Sequence, residues 1–209
     1  GSQRDFTLHL TPVRRRGGEV VGHALLLHDV SESVELLGRL ERLASRDELT
    51  GLLSRGVWKD EAEHELMRAR RYRYGLGVAL LDLDRLRLVN EARGQAAGDA
   101  LLRAVSVACQ KAVRPFDVVG RVGGDKIAVL LPHLTAAEVA AVGRRLRDAV
   151  GALKVACGED VLGITACVGV VAVEHLTDEM LGGLLQQVEE AVRAAKREGP
   201  GRVVCASEG

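Results

Sequence analysis

The sequence predicts an α+β fold of the ferredoxin-like kind, an antiparallel sheet flanked by helices. Three observations lead there. From Asp47 onward, apolar residues alternate between runs at strand spacing and stretches at helical spacing. Those segments follow the order strand-helix-strand-strand-helix-strand. The chain has 209 residues, 47% of them hydrophobic, which is enough for one full core and a smaller piece beside it.

Ahead of the main domain, Phe6–Val13 and Val20–Val30 alternate as two strands joined by the basic, glycine-containing tip Arg14–Gly18. An isolated hairpin is marginally stable, so residues 1–30 are expected to be a fragment of a larger domain or an appendage of the next one. Gly1-Ser2 directly before strand-like sequence looks like a cloning scar, which implies a natural chain that continues upstream. Residues 31–46 form a linker in which Ser31 or Ser33 caps a helix. Leu36, Leu40 and Leu43 make a 3-4 spaced seam there, suited to pairing with a second copy in a homodimer or to packing on its own domain.

The main domain is expected over residues 47–209. Helix is predicted over 55–73, strand over Gly77–Leu83, and helix over Asp99–Val113, where Leu101, Val105, Ala108 and Cys109 share a face. Strands Val118–Arg121 and Ile127–Leu131 flank a glycine turn. A helix over Thr135–Leu153, a strand over Ile164–Val173, a helix over Asp178–Arg197 and a strand over Val203–Cys205 complete the order.

Composition excludes several classes of function. The 29 basic and 29 acidic residues cancel, leaving no global field for nucleic acid or an anionic membrane. Aromatic content of 2% argues against base-stacking platforms. No apolar run reaches the roughly 18 residues of a membrane span, and a cytoplasmic location is expected. Cys109, Cys157, Cys167 and Cys205 lack any C-x-x-C spacing and read as reduced thiols. The histidines are scattered, so no histidine-based zinc site is expected.

The chemistry gathers in four segments. Asp82-Leu83-Asp84 ends an apolar strand, and its alternation is read as pointing the two carboxylates to opposite faces. Asn90 and Asp99 follow, the latter opening a helix after Gly98, where an acid suits a helix N-terminus. An amide paired with a carboxylate also suits guanine, the carboxylate accepting from the ring N–H and exocyclic amine. Arg121-Val-Gly-Gly-Asp-Lys-Ile127 is a turn in which Gly123 and Gly124 let the backbone approach a ligand, followed by one acid, Asp125, and one base, Lys126.

Together, Asp47-Glu-Leu-Thr-Gly-Leu-Leu-Ser-Arg55, Leu81-Asp-Leu-Asp-Arg-Leu-Arg-Leu-Val-Asn90, Gly94-Gln-Ala-Ala-Gly-Asp99 and Arg121–Ile127 resemble the GGDEF family of diguanylate cyclases, in its order and spacing. The hairpin over 1–30, ending in Asp29-Val30-Ser31, is similar to the last hairpin of a PAS domain. The family resemblance implies that two GTP-loaded domains face each other. Each 3′-hydroxyl attacks the other's α-phosphate, giving cyclic di-GMP and pyrophosphate, with two Mg²⁺ per site. It further implies Asp82 and Asp125 as metal carboxylates with the Leu83 carbonyl as another ligand. Asn90 and Asp99 would read guanine. Arg87 stands for a phosphate-contacting lysine and Lys196 for a phosphate-binding lysine. Arg114-Pro-Phe-Asp117 matches the family's R-x-x-D inhibitory site for cyclic di-GMP, or is simply a surface ion pair in a turn.

Three departures fall near the chemistry. Lys126 replaces the acid expected after Asp125, with Ile127 for the following phenylalanine. Gln95 replaces the histidine of the usual Gly-His pair. Pro200 replaces an arginine four residues beyond Lys196, and Arg202 is a partial substitute. At about 4 Å and an effective dielectric near 20, two unit charges interact by roughly 4 kcal/mol, so a lysine beside Mg²⁺ is expected to impair turnover. The sequence leaves three readings open: a degenerate domain with weak or no cyclase activity that keeps guanine-nucleotide binding (GTP or cyclic di-GMP), an active cyclase, or an interaction module binding no nucleotide.

Overall fold

The computed structural model describes residues 6–15, 17, 20–29, 45–158, 160–174, 176 and 180–206. The chain forms two compact units, residues 1–43 and 44–209. In the first, β1 (Phe6–Arg14) and β2 (Val20–Asp29) pair antiparallel from Phe6 opposite Asp29 to Arg14 opposite Val20, with a register shift between Val13 and Arg14. Residues 30–44 lie outside the described residues, and with them the expected linker helix and its leucine seam. Arg46, at the end of that segment, is not helical but bridges antiparallel to Leu53.

The second unit contains α1 (Arg55–Tyr72), β3 (Leu76–Leu83), α2 (Leu86–Arg93), α3 (Gln95–Lys111), β4 (Val118–Arg121) and β5 (Lys126–Pro132). It continues with α4 (Ala136–Gly151), β6 (Val155–Cys157), β7 (Asp160–Leu162), β8 (Ala166–Val173), α5 (Leu181–Glu198) and β9 (Val203–Cys205). Five strands form one sheet in the order β4-β5-β3-β8-β9, antiparallel except that β9 runs parallel to β8. The expected ferredoxin-like order is present in the first four strands.

Strand alternation divides the core between the two faces. Ala79, Leu81 and Leu83 of β3 pack with Leu101 and Val105 of α3 and Val142 and Leu146 of α4. Val78 and Leu80 pack with Trp58 and Leu66 of α1 and Leu184, Val188 and Val192 of α5. Close approach rather than volume fixes α5. A Cβ on Gly169 of β8 would lie 2.4 Å from the Val188 carbonyl oxygen and 2.7 Å from the Val192 nitrogen. The four cysteines are free thiols, and burial pushes that of Cys109 up to about 12.

Two elements were not expected from the sequence. Helix α2 starts from Arg85 in a left-handed conformation, φ 60°. The β6–β7 hairpin turns at Gly158, φ 64°. The helix carrying Asp99 begins four residues earlier than expected, so Asp99 lies one turn inside α3 and does not cap it.

Candidate functional site

The functional side chains meet where β3 runs out. The expectation that Asp82 and Asp84 oppose each other is wrong: residues two apart in extended chain share a face. Lys196 of α5 reaches both, its Nζ lying 2.6 Å from Asp82 Oδ1 and 3.3 Å from Asp84 Oδ1. The same ammonium donates to the Leu83 carbonyl at 3.2 Å. Burial lowers the Lys196 pKa, but the bonds and charges of the two aspartates outweigh it and hold the ammonium above its ordinary value.

Asp84 is buried and anchored on its other oxygen, where Oδ2 accepts from Thr165 Oγ1 at 2.7 Å and the Gly201 amide at 2.8 Å. Burial pushes its pKa up. The bonds from Thr165, Gly201 and Cys167, with the Lys196 charge, prevail and hold it below 3.8. A folded-state value below the unfolded one stabilises the fold fully above about pH 4 and loses that contribution as pH falls further. Asp84→Asn is therefore expected to lower the melting temperature at pH 7 and to flatten the loss of stability on acidification, as read by circular dichroism melts from pH 7 to 3.

Lys126 stands directly opposite Asp82 in the β3–β5 register, which puts both side chains on one face. A pocket of about 460 Å³ opens there, lined by Asp82, Lys126, Glu189, Arg193, Lys196 and Arg197 besides Leu80 and Val192. Four cations against two carboxylates suit a polyphosphate. Among the described residues, Lys126 makes no ion pair. The sequence reading missed Glu189, Arg193 and Arg197, although their spacing of four along α5 places them on one helix face. Arg193 and Arg197 bring guanidinium groups to the pocket, where Pro200 had suggested the loss of one. Arg202 is exposed, directly before β9.

The signature turn is a three-residue loop, Gly123-Gly124-Asp125, closed by a Val122 amide to Lys126 carbonyl bond of 3.0 Å. Neither glycine has a left-handed φ. A Cβ on Gly124 would meet nothing, and one on Gly123 would come only to 3.3 Å from Lys126 Cβ. Their smallness therefore leaves space beside the loop rather than relieving the chain's own packing. The Asp125 carbonyl accepts from the Leu83 amide at 3.1 Å, tying the turn to the end of β3. With the glycines and Lys126, Asp125 also lines one end of a groove of about 860 Å³ between α1 and α5. Arg121 holds the turn from behind, donating Nη2 to the Gly124 carbonyl at 2.6 Å and Nη1 to Asp47 at 3.1 and 3.2 Å.

Asn90 lies on α2 and Asp99 on α3, and neither lines the pocket at the end of β3. Asn90 Oδ1 is buried without a hydrogen-bond partner, and it sits where a Cβ on Gly98 would be, at 1.8 Å. Gln95, in place of the expected histidine, donates Nε2 to Asp99 Oδ1 at 3.1 Å. Arg87 points to solvent, its side chain 90% exposed and paired with Glu91 at 2.8 Å. Arg114 and Asp117 form the ion pair of a tight turn: Asp117, buried, accepts from the Arg114 amide at 2.8 Å and from Arg114 Nη2 at 2.9 Å. Arg114 Nη2 also donates to the Pro132 carbonyl, and the guanidinium lies 4.6 Å from the Phe116 ring.

The residues present fit one divalent cation. Asp82 and the Leu83 carbonyl offer only oxygen, the donor set of Mg²⁺, and already hold the cationic nitrogen of Lys196 at 2.6 and 3.2 Å. Among the described residues no group of three or more His, Cys, Asp or Glu is placed to hold a metal, so a cation there would draw its further donors from a bound phosphate, and Lys126 stands where a further acid was expected.

The fold and site thus define an α+β domain in which Asp82, Asp84 and the Leu83 carbonyl gather on Lys196 beside a basic pocket of about 460 Å³. The family described as "Diguanylate cyclase, GGDEF domain" matches residues 44–202, and the chain belongs to it. It is 30% identical over 203 residues, 97% of its length, to the probable diguanylate cyclase DgcE of Escherichia coli, and 28% identical over 209 residues, 99% of its length, to the diguanylate cyclase DgcM of that organism. It spans 18% and 48% of the length of those two proteins. Among solved structures, it matches diguanylate cyclase SiaD of Pseudomonas aeruginosa, solved with its activator SiaC, at TM-score 0.74 and 31% identity, covering 84% of this chain and 66% of that one. It matches the GGDEF domain of DgcB from Caulobacter crescentus, solved in complex with c-di-GMP, at TM-score 0.74 and 25% identity, covering 79% and 97%.

Proposed function

We propose that this is a cyclic di-GMP signalling domain that binds a guanine nucleotide but turns it over weakly or not at all. The observation that carries this reading is the cross-strand pair of Asp82 with Lys126. It puts a base where catalysis calls for an acid, inside a pocket whose other cations suit phosphates. Asn90, with its buried unpartnered oxygen, and Asp99 supply the polar edge for the base. Lys126, Arg193, Lys196 and Arg197 surround the phosphates with positive charge.

A bound Mg²⁺ would neutralise charge developing on the α-phosphate. The residues for it are Asp82, the Leu83 carbonyl and, across the turn, Asp125. The chain's own residues orient the base, fix the turn through Arg121 and balance the phosphate charge. With Lys126 at the position of the missing acid, the site favours binding over transfer. Arg114, held by Asp117, is the place for product, and homodimerisation is expected to bring two sites together.

Calorimetry tests the reading. GTP with Mg²⁺ is expected to bind, while turnover stays far below that of an active cyclase. Gly98→Ala, whose methyl displaces the Asn90 amide, is expected to weaken GTP binding at least about tenfold, the worth of one good hydrogen bond to the base. No heat with GTP, GDP or cyclic di-GMP would favour an interaction module, and turnover at an active cyclase's rate would refute degeneracy.

A further inference from the structure

Lys196 holds the place that the nucleotide reading gives to a metal ion. Its Nζ is 2.6 Å from Asp82 Oδ1, 3.2 Å from the Leu83 carbonyl oxygen and 3.3 Å from Asp84 Oδ1. Two of those three acceptors are the proposed metal donors. An ammonium and a divalent cation cannot share them, because at contact distance their mutual repulsion matches the attraction each gains. We propose that Lys196 is a tethered counter-cation, keeping divalent metal out of the Asp82–Leu83 site until a polyphosphate draws it away. This deepens the nucleotide reading and rests on it.

Three features carry the inference. The ammonium has three donors and meets three oxygens, so the contact is a built one. The frame around it is anchored independently of it. The Asp84 carboxylate is held by Thr165 and Gly201, and the Asp82 backbone is fixed in register between Lys126 and Cys167. The lysine is the movable part, with a flexible four-carbon stem at the wall of a pocket of about 460 Å³ that gives its head somewhere to go.

The consequence is coupled loading. Metal alone must displace the ammonium into a pocket where three cations, Lys126, Arg193 and Arg197, outnumber the one carboxylate left to receive it, Glu189. Metal arriving with a triphosphate brings the anion to which Lys196 moves. Each ligand therefore raises the affinity for the other by the same factor.

The test is titration of Mn²⁺ alone into the whole chain, read by calorimetry and by the paramagnetic resonance signal of free Mn²⁺. Wild type and Lys196→Arg, both cationic, are expected to bind weakly. Lys196→Met is expected to bind at least about tenfold tighter and to gain a Mn²⁺-dependent rise in melting temperature that wild type lacks. Adding Asp82→Asn to Lys196→Met is expected to abolish the gain. Lys196→Gln, which keeps a donor for the carboxylates, serves if the methionine variant does not fold. Equal Mn²⁺ affinity in wild type and Lys196→Met, lost in both on Asp82→Asn, overturns the counter-cation while leaving the metal site standing. Absence of binding in every variant, or binding indifferent to Asp82→Asn, overturns the metal reading itself.

Discussion

Lys126→Glu is expected to raise production of cyclic di-GMP from GTP and Mg²⁺ by at least about tenfold. The site's geometry explains the size. Lys126 faces Asp82 directly across the β3–β5 ladder, so the exchange puts two carboxylates side by side on one face of the sheet. It also shifts the pocket charge by two units at the position where the family carries an acid. An ion pair at about 4 Å and an effective dielectric near 20 is worth roughly 4 kcal/mol, whereas a tenfold rate change needs only about 1.4 kcal/mol. A modest share of the Coulomb gain is therefore enough. The opposing effect, two like charges facing each other without metal, costs about 0.2–1 kcal/mol in a ladder and is relieved when a cation binds. Mass spectrometry of product from wild type and variant decides the matter. Equal product from the two would show that the lysine was never the obstacle.

Gly169→Ala is expected to give the largest loss of stability, about 3 kcal/mol or more. The added Cβ meets backbone on both sides, the Val188 carbonyl at 2.4 Å and the Val192 nitrogen at 2.7 Å. No rotamer change relieves such a clash, so α5 must lift from β8. For a unit of this size that corresponds to a fall of about 6–12 °C in melting temperature, measurable by calorimetry. Since α5 also carries Glu189, Arg193, Lys196 and Arg197, nucleotide affinity should fall with it. A variant that melted with wild type would show that the helix packs on this strand more loosely than these distances require.

Most of the sheet was legible from the sequence because its strands are apolar runs bounded by glycine, proline or charge. The predicted Gly77–Leu83 and Val118–Arg121 strands lie within a residue of β3 and β4. Helix α2 was hidden because it is eight residues long and starts from a left-handed arginine, an entry no residue type announces. The β6 and β7 strands, three residues each, are too short for alternation to register. The parallel pairing of β9 with β8 depends on tertiary placement, which local pattern does not carry.

The candidate site divides in the same way. Asp82, Lys126 and Lys196 were legible as residues, and the fold brings them together. That Asp82 and Asp84 share a face follows from two-residue periodicity alone, and the sequence reading misapplied it. Arg193 and Arg197 belong to no motif, and only their spacing of four on α5, on either side of Lys196, brings them to the pocket. The role of Thr165 is set by a loop that approaches Asp84 from 81 positions away, a separation across which sequence offers no signal.

Arg121 has a mechanical consequence. One side of its guanidinium is fixed on Asp47, near the start of the second unit, and the other on the Gly124 carbonyl at the tip of the signature turn. The group is planar and rigid, so its two sides cannot travel separately. A twist imposed on the backbone at Asp47 reaches Gly124 as the tilt of a single plane, and the glycine loop behaves less as a free hinge than as the far arm of a short lever.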